Sequence, residues 1–271
     1  MNYSRFAFPA VGIVFLCCGS LPAFAQLSSF AVLGGSTVTN TGATTVSGNL
    51  GVSPGSAVTG FPPGVVTNGT IHQADSVAAQ AESDLTTLYN QLAGDACTTD
   101  LTGQNLGGLT LTPGVYCFTT SAQLTGTLTL NAQGNPNATF VFKVGSTFTT
   151  ASGASVVMIN NGSTCGVAWQ VGSSATLGTG STVVGTIVAL SSITMNTGGG
   201  LAGRALARNG AVTLDTNRLT FCSGGNGLPG LPPPVLSTVN VPAMSLPMLA
   251  GLAMLLAGLG WFYVRNSQAR G

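Results

Sequence analysis

Few side chains in the sequence could carry out chemistry, and the first group surrounds its single histidine. His72 is followed by Asp75 and Ser76. An imidazole, a carboxylate and a hydroxyl are the groups of a hydrolytic triad, in which the imidazole takes the hydroxyl proton. Neighbours within one helical turn have poor geometry for that reaction. A structural role is therefore the simpler interpretation of this group.

A second candidate group combines Arg208 with Asp215. Enzymes that cleave polysaccharides need a pair of carboxylates, or a basic residue that works beside bound calcium. Asp215 is the one carboxylate in residues 101–222, and one carboxylate cannot be both the acid and the base. We expect Arg208 and Asp215 to form a structural ion pair. The sequence thus predicts a protein with no catalytic residue and no cofactor.

The charge content also excludes classes of partner. Charged residues make up 5% of the chain, against roughly 25% in ordinary soluble domains. The formal net charge is +1, and seven basic residues are spread over 271 positions. Nucleic acid binding needs clustered Lys and Arg to displace counterions, so no nucleic acid partner is expected. Low charge with 39 glycines favours a β-rich architecture.

Both ends of the chain predict an exported protein. Residues 1–25 have one early arginine, an apolar run and small residues at the end, which is the pattern of a secretory signal cleaved before Gln26. Near the other end, residues 246–264 form an uncharged run that is long enough to cross a bilayer. Two arginines follow this run and favour a cytoplasmic tail.

Four cysteines remain after the predicted signal, and they predict disulfide bonds. In an oxidising compartment an even number of cysteines suggests pairing, and four cysteines have three possible pairings. We predict Cys97–Cys117, which closes a local loop, and Cys165–Cys222, which ties the end of the domain to an earlier part. A metal site is the alternative, but none of these cysteines has the Cys-x-x-Cys spacing of common zinc sites.

One helix is predicted, over residues 72–93. Thr70 and Gln73 have the spacing of a capping box at its start, and Gly94 is expected to end it. Its apolar stripe recurs at steps of three and four residues and consists of Val77, Ala81, Leu85, Leu88 and Leu92. The acidic residues nearby are interpreted as a solvated face: Asp75, Glu82 and Asp84.

The rest of the domain is predicted to consist of strands, and residues 106–222 repeat. Five segments share a threonine at their second position: "LTLNAQG" from 128, "FTTASG" from 148, "ATLGTG" from 175, "ITMNTG" from 193 and "VTLDTN" from 212. Their spacing of about 20 residues is the repeat length of a solenoid, in which each coil packs on its neighbours. The longest step, between the second and third segments, holds "INNGSTCG", which is expected to bulge as a loop.

Each coil has three strand-like pieces, which predicts a mainly β fold, a β-solenoid of roughly triangular cross-section. One series is apolar on both sides of the pleat in several coils: "FVFKV", "VAWQV", "TIVAL" and "RALAR". Strands that are apolar on both sides should be covered on both, so we expect the helix to lie along this series. The threonine segments form the second series, and the third is "ASVVM", "STVVG", "GGLAG" and "RLTF".

The threonine series presents a regular, uncharged surface. Alternate residues point inward, namely Phe148, Leu177, Ile193, Met195, Val212 and Leu214. The outward residues stack coil over coil: Thr129, Thr149, Thr176, Thr194 and Thr213, with Asn196 beside them. Threonine favours strands for packing reasons alone. A rigid, charge-free array of methyl and hydroxyl groups is nevertheless unusual, and it can order surface water as binding to ice would require.

Two long segments carry a resemblance to a known family: "FAVLGGSTVTNTGATTVSGNLGVSPGSAVTGFPPG" and "VAWQVGSSATLGTGSTVVGTIVALSSITMNTGGGLAGRALARNGAVTLDTN". With the helix between them, residues 27–222 resemble the large microbial ice-binding protein family, long catalogued as a domain of unknown function. The resemblance implies a right-handed, discontinuous β-solenoid with one long α-helix packed along one face, and adsorption to ice through one flat face.

A motif of that family, Thr-Ala/Gly-x-Thr/Asn, often marks the ice-binding face. It occurs here at Thr41-Gly42-Ala43-Thr44 and at Thr179-Gly180-Ser181-Thr182, so the resemblance adds Thr41, Thr44, Thr179 and Thr182 to the candidate residues. Because the motif is incomplete elsewhere, we expect inhibition of ice recrystallisation with modest freezing-point depression. The sequence leaves open whether the face with Thr194 or the neighbouring one with Thr182 meets the ice.

The C-terminal segment resembles the short sorting tails of Gram-negative bacteria. Val241-Pro242-Ala243-Met244-Ser245 has the form of an Ile-Pro-Thr-Leu-type motif and precedes the membrane span. The predicted organisation is a signal at 1–25, a domain at 26–222, a Gly/Pro linker at 223–240 and a sorting tail at 241–271. The resemblance implies a protein that is secreted or anchored at the cell surface of a Gram-negative bacterium.

Two functions remain open on these observations. The favoured one is a monomeric ice-binding protein whose partners are the ice crystal surface and, at the tail, a sorting protease and the membrane. The alternative is a non-catalytic structural or adhesion protein of the cell surface, which export, linker and anchor fit equally well. The uncharged threonine column separates them, because adhesion does not require it.

Overall fold

The computed structural model describes residue 24 and residues 26–220. Most of the predicted signal peptide, Cys222, the linker and the sorting tail lie outside the described residues, and so does the predicted span at 246–264. Within the described part, no helix is long and apolar enough to cross a membrane.

The described residues form 22 short strands, one α-helix and two turns of 3₁₀-helix. The 3₁₀ turns span Leu27–Ser29 and Thr164–Gly166. In chain order the other elements are β1 (Phe30–Gly34), β2 (Thr37–Thr41), β3 (Thr45–Ser47), β4 (Asn49–Val52), β5 (Ala57–Thr59), β6 (Val65–Thr67), β7 (Ile71–Gln73), α1 (Ser76–Gly94), β8 (Thr99–Asp100), β9 (Thr110–Leu111), β10 (Gly114–Phe118), β11 (Ala122–Leu124), β12 (Thr127–Asn131), β13 (Phe140–Val144), β14 (Phe148–Thr150), β15 (Ser155–Ile159), β16 (Val167–Val171), β17 (Ala175–Leu177), β18 (Thr182–Ala189), β19 (Ile193–Met195), β20 (Gly200–Ala207), β21 (Val212–Asp215) and β22 (Arg218–Thr220).

The strands pair in parallel and build the three faces of a solenoid, as predicted. The threonine face is the seven-stranded sheet β11-β14-β17-β19-β21-β2-β5. The helix face contains β8, β10, β13, β16, the second halves of β18 and β20, β1, β4 and β7. The third face contains β9, β12, β15, the first halves of β18 and β20, β22, β3 and β6. The long strands β18 and β20 turn the corner between the last two faces.

The coils do not stack in chain order. β1 lies between β20 and β4, and β2 lies between β21 and β5, so the first coil of the chain pairs with the last. Val32 faces Ala205 across this junction, which we call the seam. The seam makes the solenoid discontinuous, as the family resemblance implies.

The interior of the solenoid is apolar and closely packed. All six residues predicted to point inward from the threonine face are at most 1% exposed. Trp169 lies between two phenylalanines, with ring centroids 4.0 Å from Phe142 and 4.5 Å from Phe148. The indole Nε1 donates to the carbonyl of Val184 at 2.9 Å, so its one polar group is satisfied. This stacking fixes the spacing of the coils beneath the threonine face.

The helix covers the helix face as predicted, but it begins later than predicted. Residues 71–73 form strand β7, and α1 starts at Ser76 with Asp75 as the N-cap, whose side chain accepts from the Ala78 amide at 2.8 Å. The predicted capping box at Thr70 and Gln73 is therefore wrong. Strand β7 includes His72 and Gln73, so the chain is still extended where the helix was expected to begin. The stripe packs as expected against apolar residues of the helix face: Leu33, Val141, Ala168, Val188 and Leu206.

The acidic residues near the helix do not form one solvated face. Glu82 is only 9% exposed and lies on the buried side of α1. Burial raises the pKa of Glu82 to about 8, and the nearby Arg208 guanidinium opposes this shift. Asp84 accepts from the Gln80 amide on the helix surface. Only the apolar periodicity, and not the acidic positions, was a sound guide to the orientation of the helix.

One of the two predicted disulfides is present in the described residues. Cys97 and Cys117 are bonded, with their Cα atoms 5.9 Å apart. The bond ties the segment after α1 to strand β10. The Cys165–Cys222 pair stays a prediction because Cys222 lies outside the described residues.

Candidate functional site

A column of threonines crosses six of the seven strands of the threonine face. The strand pairing places Thr149, Thr176, Thr194 and Thr213 side by side, and Thr39 and Thr59 continue the column across the seam. The residues on either side of each threonine are mostly buried, so these side chains point outward. Neighbouring threonines are therefore spaced by the distance between strands, about 4.8 Å.

The column is flanked on one side by a second row of small side chains. These residues precede the buried position of each strand, and the row contains only Ser, Thr and Ala: Ser121, Thr147, Ser174, Ser192, Ala211, Thr37 and Ala57. The Ser121 and Thr147 hydroxyls are 2.8 Å apart. On the other side lies a more varied row, composed of Ala151, Gly178, Asn196, Asp215 and Thr41. The face is thus broad and carries mostly short side chains, with Gln123 of β11 as the long one.

The strands of the threonine face hold a single charged residue, Asp215. Its carboxylate accepts hydrogen bonds from the hydroxyls of Thr197 and Thr216. The expected ion pair with Arg208 is wrong, because Arg208 turns the other way, donates to Thr86 on the helix at 3.1 Å and lies over the Tyr89 ring. Asp215 is therefore held by neutral hydroxyls in the plane of the face.

Two of the predicted residues do not belong to an exposed threonine column. Thr129 lies in β12 on the third face, where it pairs with Thr110 and Val157, and Gln123 occupies the equivalent position of the threonine face. Thr44 is 1% exposed, and its hydroxyl accepts from the Asn217 amide inside a corner. Matching segments by their threonines misplaced Thr129, because the column position of β11 holds Gln123 rather than a threonine.

The other predicted residues lie at the surface but on different faces. Asn196 follows Thr194 on the threonine face, and Thr41 ends β2 beside Asp215. Thr179 is exposed at the turn that leads to the third face, and Thr182 is exposed on the third face itself, where it pairs with Ser155 and Gly200. The predicted motif Thr179–Thr182 therefore spans a corner.

The column extends into the N-terminal coils, beyond the repeat that the sequence shows. Thr39 and Thr59 lie outside residues 106–222, which contain the five repeated segments. "VTNTG" at 38–42 differs little from "ITMNTG" at 193–198. That similarity was the available signal, but it does not indicate that the two segments share one sheet.

The histidine group forms a clamp at the start of the helix. His72 Nδ1 is 2.7 Å from Asp75 Oδ2, and Nε2 is 2.9 Å from the Thr70 hydroxyl, whereas Ser76 has no bond to the ring. The other carboxylate oxygen of Asp75 caps α1. The Ala78 amide and then His72 lower the pKa of Asp75. Both ring nitrogens are thus engaged, and the bond to Asp75 joins β7 to the start of α1.

Among residues 26–220, no group of three or more His, Cys, Asp and Glu side chains is arranged to hold a metal ion.

Comparison with known proteins identifies the family. Residues 32–220 match the model of the family described as ice-binding-like. The chain is 58% identical over 202 residues to an ice-binding protein of Nostoc sp. (strain HG1), covering 74% of each chain. A crystal structure of an ice-binding protein from an Antarctic biological consortium matches with a TM-score of 0.71 and 44% identity, over 80% of this chain and 96% of that one.

A crystal structure of the ice-binding protein of the Antarctic ascomycete Antarctomyces psychrotrophicus matches with the same TM-score of 0.71. The identity is 36%, and the match covers 75% of this chain and 99% of the other. Sequence and fold therefore agree over the whole described solenoid, and the chain belongs to the ice-binding-like family.

Proposed function

We propose that this protein adsorbs to ice through the threonine face and inhibits ice recrystallisation without catalysing a reaction. The observation that carries the proposal is the column of six in-register threonines, Thr149, Thr176, Thr194, Thr213, Thr39 and Thr59. The relatives in Nostoc and in the Antarctic consortium are named as ice-binding proteins, which supports the same function.

The chemistry of the face suits a solid surface of water. Each threonine presents a methyl group, around which water must form a cage, and a hydroxyl group that can join that cage. Charged side chains hold water in their own geometry, and this face has only one, Asp215. The parallel strands and the stacked rings around Trp169 keep the array rigid, so little side-chain or backbone entropy is lost on adsorption.

The third face is less suited to this role. It carries the exposed cation Arg218 and three exposed apolar side chains, Val65, Val157 and Ile159. Its outward rows therefore mix bulky, small and charged groups, whereas the strands of the threonine face have one charged residue and no exposed large apolar side chain. This difference supports the threonine face over the third face, the two that the sequence left open.

The experiment compares one bulky substitution on each face. Thr194→Tyr places a large ring in the centre of the threonine column, and Thr182→Tyr places the same ring on the third face. We expect Thr194→Tyr to lose most of the inhibition of ice recrystallisation and Thr182→Tyr to retain it, with thermal unfolding showing that both variants fold.

Two results would contradict the proposal. If the wild-type protein leaves grain growth in frozen solution unchanged, the protein does not bind ice in this way and a surface structural role is favoured. If Thr182→Tyr is the inactive variant, the third face meets the ice.

We further propose that the protein is exported and acts as a monomer, with its tail bound by a sorting protease and the membrane. The support is the signal-like segment at 1–25 and the tail at 241–271, whose apolar run is followed by Arg265 and Arg270. N-terminal sequencing of protein recovered from a Gram-negative host checks this, since processed protein must begin at Gln26. Protein that keeps Met1 would argue against export.

A further inference from the structure

On the helix face, the outward column of residues changes from apolar to polar where the helix ends. Leu206 and Val188 are in register and are buried beneath α1. The same column continues through Gln170, Lys143 and Cys117. A cavity of about 360 Å³ opens over these three residues and is also lined by Tyr89, Thr119 and Gly145. The polar part of the column therefore faces a cleft rather than the helix.

Gln170 is the buried polar group of this cleft. It is 6% exposed and lines the cleft. Its amide is not among the fully buried polar atoms of the described residues that lack a partner, so the amide reaches the open space of the cleft. An amide offers two donors and one acceptor, and buried polar side chains in folded proteins generally have partners. The amide is thus placed to bind a group that enters the cleft.

Lys143 supplies an uncompensated positive charge beside Gln170. Its Nζ donates to the backbone carbonyl of Asp95 at 2.5 Å, which leaves two of its three protons for other acceptors. Among the described residues, no carboxylate forms a salt bridge with it. Asp100 lies next along the column, and one oxygen of its carboxylate, Oδ1, accepts from both the amide and the hydroxyl of Thr102.

The walls of the cleft are fixed by covalent and aromatic contacts. The Cys97–Cys117 disulfide holds the segment that carries Asp95 against β10. Tyr89, on the last turns of α1, has the guanidinium of Arg208 5.6 Å from its ring centroid. The lining groups are thus held in place in the absence of a ligand, which reduces the entropy lost on binding.

We propose that this cleft binds a carbohydrate that carries a carboxylate, such as a uronic acid unit of an acidic polysaccharide. The carboxylate pairs with Lys143, the sugar hydroxyls exchange hydrogen bonds with the Gln170 amide, and the ring packs beside Tyr89. The cavity lies at the lower end of the range for small-molecule sites, about 300–1,000 Å³, which fits a short saccharide. The site is on a different face from the threonine column, so ice and saccharide do not compete.

Calorimetric titration with trigalacturonate, and with maltotriose as a neutral trisaccharide of similar size, tests this proposal. Wild-type protein should bind trigalacturonate and not maltotriose. Lys143→Gln removes the charge and should weaken binding about tenfold or more, since charge-assisted hydrogen bonds are the strong ones. The carboxylate introduced by Gln170→Glu should repel the carboxylate of the saccharide and abolish binding. It should also form an ion pair with Lys143, so that the protein remains folded.

Arg218→Gln is the matched control, because it removes an exposed cation from the third face. It should bind trigalacturonate like the wild type. The proposal is overturned if the wild type binds neither saccharide, if maltotriose binds equally well, or if Gln170→Glu binds trigalacturonate unchanged. Lys143→Gln should keep full inhibition of ice recrystallisation, which separates failure of this site from failure of the ice-binding proposal.

Discussion

Asp215 is the side chain that interrupts the threonine face. It is the only charged residue in the strands of that face, and it lies beside Thr213 and opposite Thr41. The hydroxyls of Thr197 and Thr216 donate to its carboxylate and are therefore turned toward it. A charge at this place holds water in an arrangement that does not match ice.

Replacing Asp215 with threonine should therefore improve adsorption. We expect Asp215→Thr to inhibit recrystallisation at a several-fold lower concentration than the wild type, because the row gains a hydroxyl and a methyl and loses a charge. The measurement is grain size in frozen solution over a dilution series. Arg218→Gln changes charge on the third face and should leave the result unchanged; equal endpoints for Asp215→Thr and wild type would contradict this interpretation.

At single positions, the sequence predicted side-chain direction better than side-chain neighbours. Alternation alone identified Ile193 and Met195 as interior residues, because the pleat imposes a period of two. The assignment of Thr129 failed because residue type was used to align coils, whereas register is set by backbone pairing. Thr44 failed because a corner residue can turn its hydroxyl inward to satisfy the Asn217 amide.

Helix α1 contributes a buried acid to the interface with the solenoid. Glu82 is 9% exposed, and its Oε1 has no hydrogen-bond partner in the described residues. Burial raises its pKa from 4.5 to about 8. The unfolded chain gives up this proton near pH 4.5 and the folded protein near pH 8, so the unfolded state binds fewer protons in between. Stability should therefore fall as the pH rises through that interval.

Glu82→Gln should remove this pH dependence. At pH 4 the variant and the wild type should have similar free energies of unfolding, because the acid is protonated in both states. At pH 9 the variant should be the more stable by an amount on the order of 3 kcal/mol, since the wild type must keep an ionised carboxylate buried. Urea denaturation at the two pH values measures the difference. A constant gap between the two proteins across this range would argue against the buried acid.

The helix also illustrates how far local patterns determine an element. Its apolar stripe predicted both its existence and the face it covers, because the helix face needed a cover. Its start was placed four residues too early, since Thr70 and Gln73 have capping spacing but belong to a segment that pairs with β4. Strand pairing is a long-range interaction, and it overrode the local signal.

At the scale of the whole molecule, the seam determines how far the unfolding of one coil spreads to the others. In an ordinary solenoid each coil depends only on its neighbours, and loss of an end coil leaves the rest intact. Here the first coil of the chain lies in the interior of the stack, between β20–β22 and β4–β6. The repeat in the sequence predicted the coils but not this order, because like coils can stack in any permutation that the connections permit.

Charged substitutions at the seam and at an end of the stack should thus have different effects. Val32→Asp places a carboxylate in the core at the seam and should destabilise both the N-terminal and the C-terminal coils, since an unpaired buried charge is strongly destabilising. Val58→Asp alters β5, the end strand of the threonine face. It should loosen only the coil of β4, β5 and β6, which lies at that end of the stack. Hydrogen exchange across β2, β17 and β20 measures the extent of each effect. Protection of β20 that survives Val32→Asp would show that the seam does not couple the two halves.

The seam also sets the order of events when the chain is made. Strands β1, β2 and β3 leave the ribosome first, yet their partners β20, β21 and β22 lie more than 150 residues later. Until residues 200–220 emerge, one edge of the first coil has no strand to pair with. The array of threonines is therefore complete only when the last coil is made, and a truncated product lacks both a closed stack and a continuous surface.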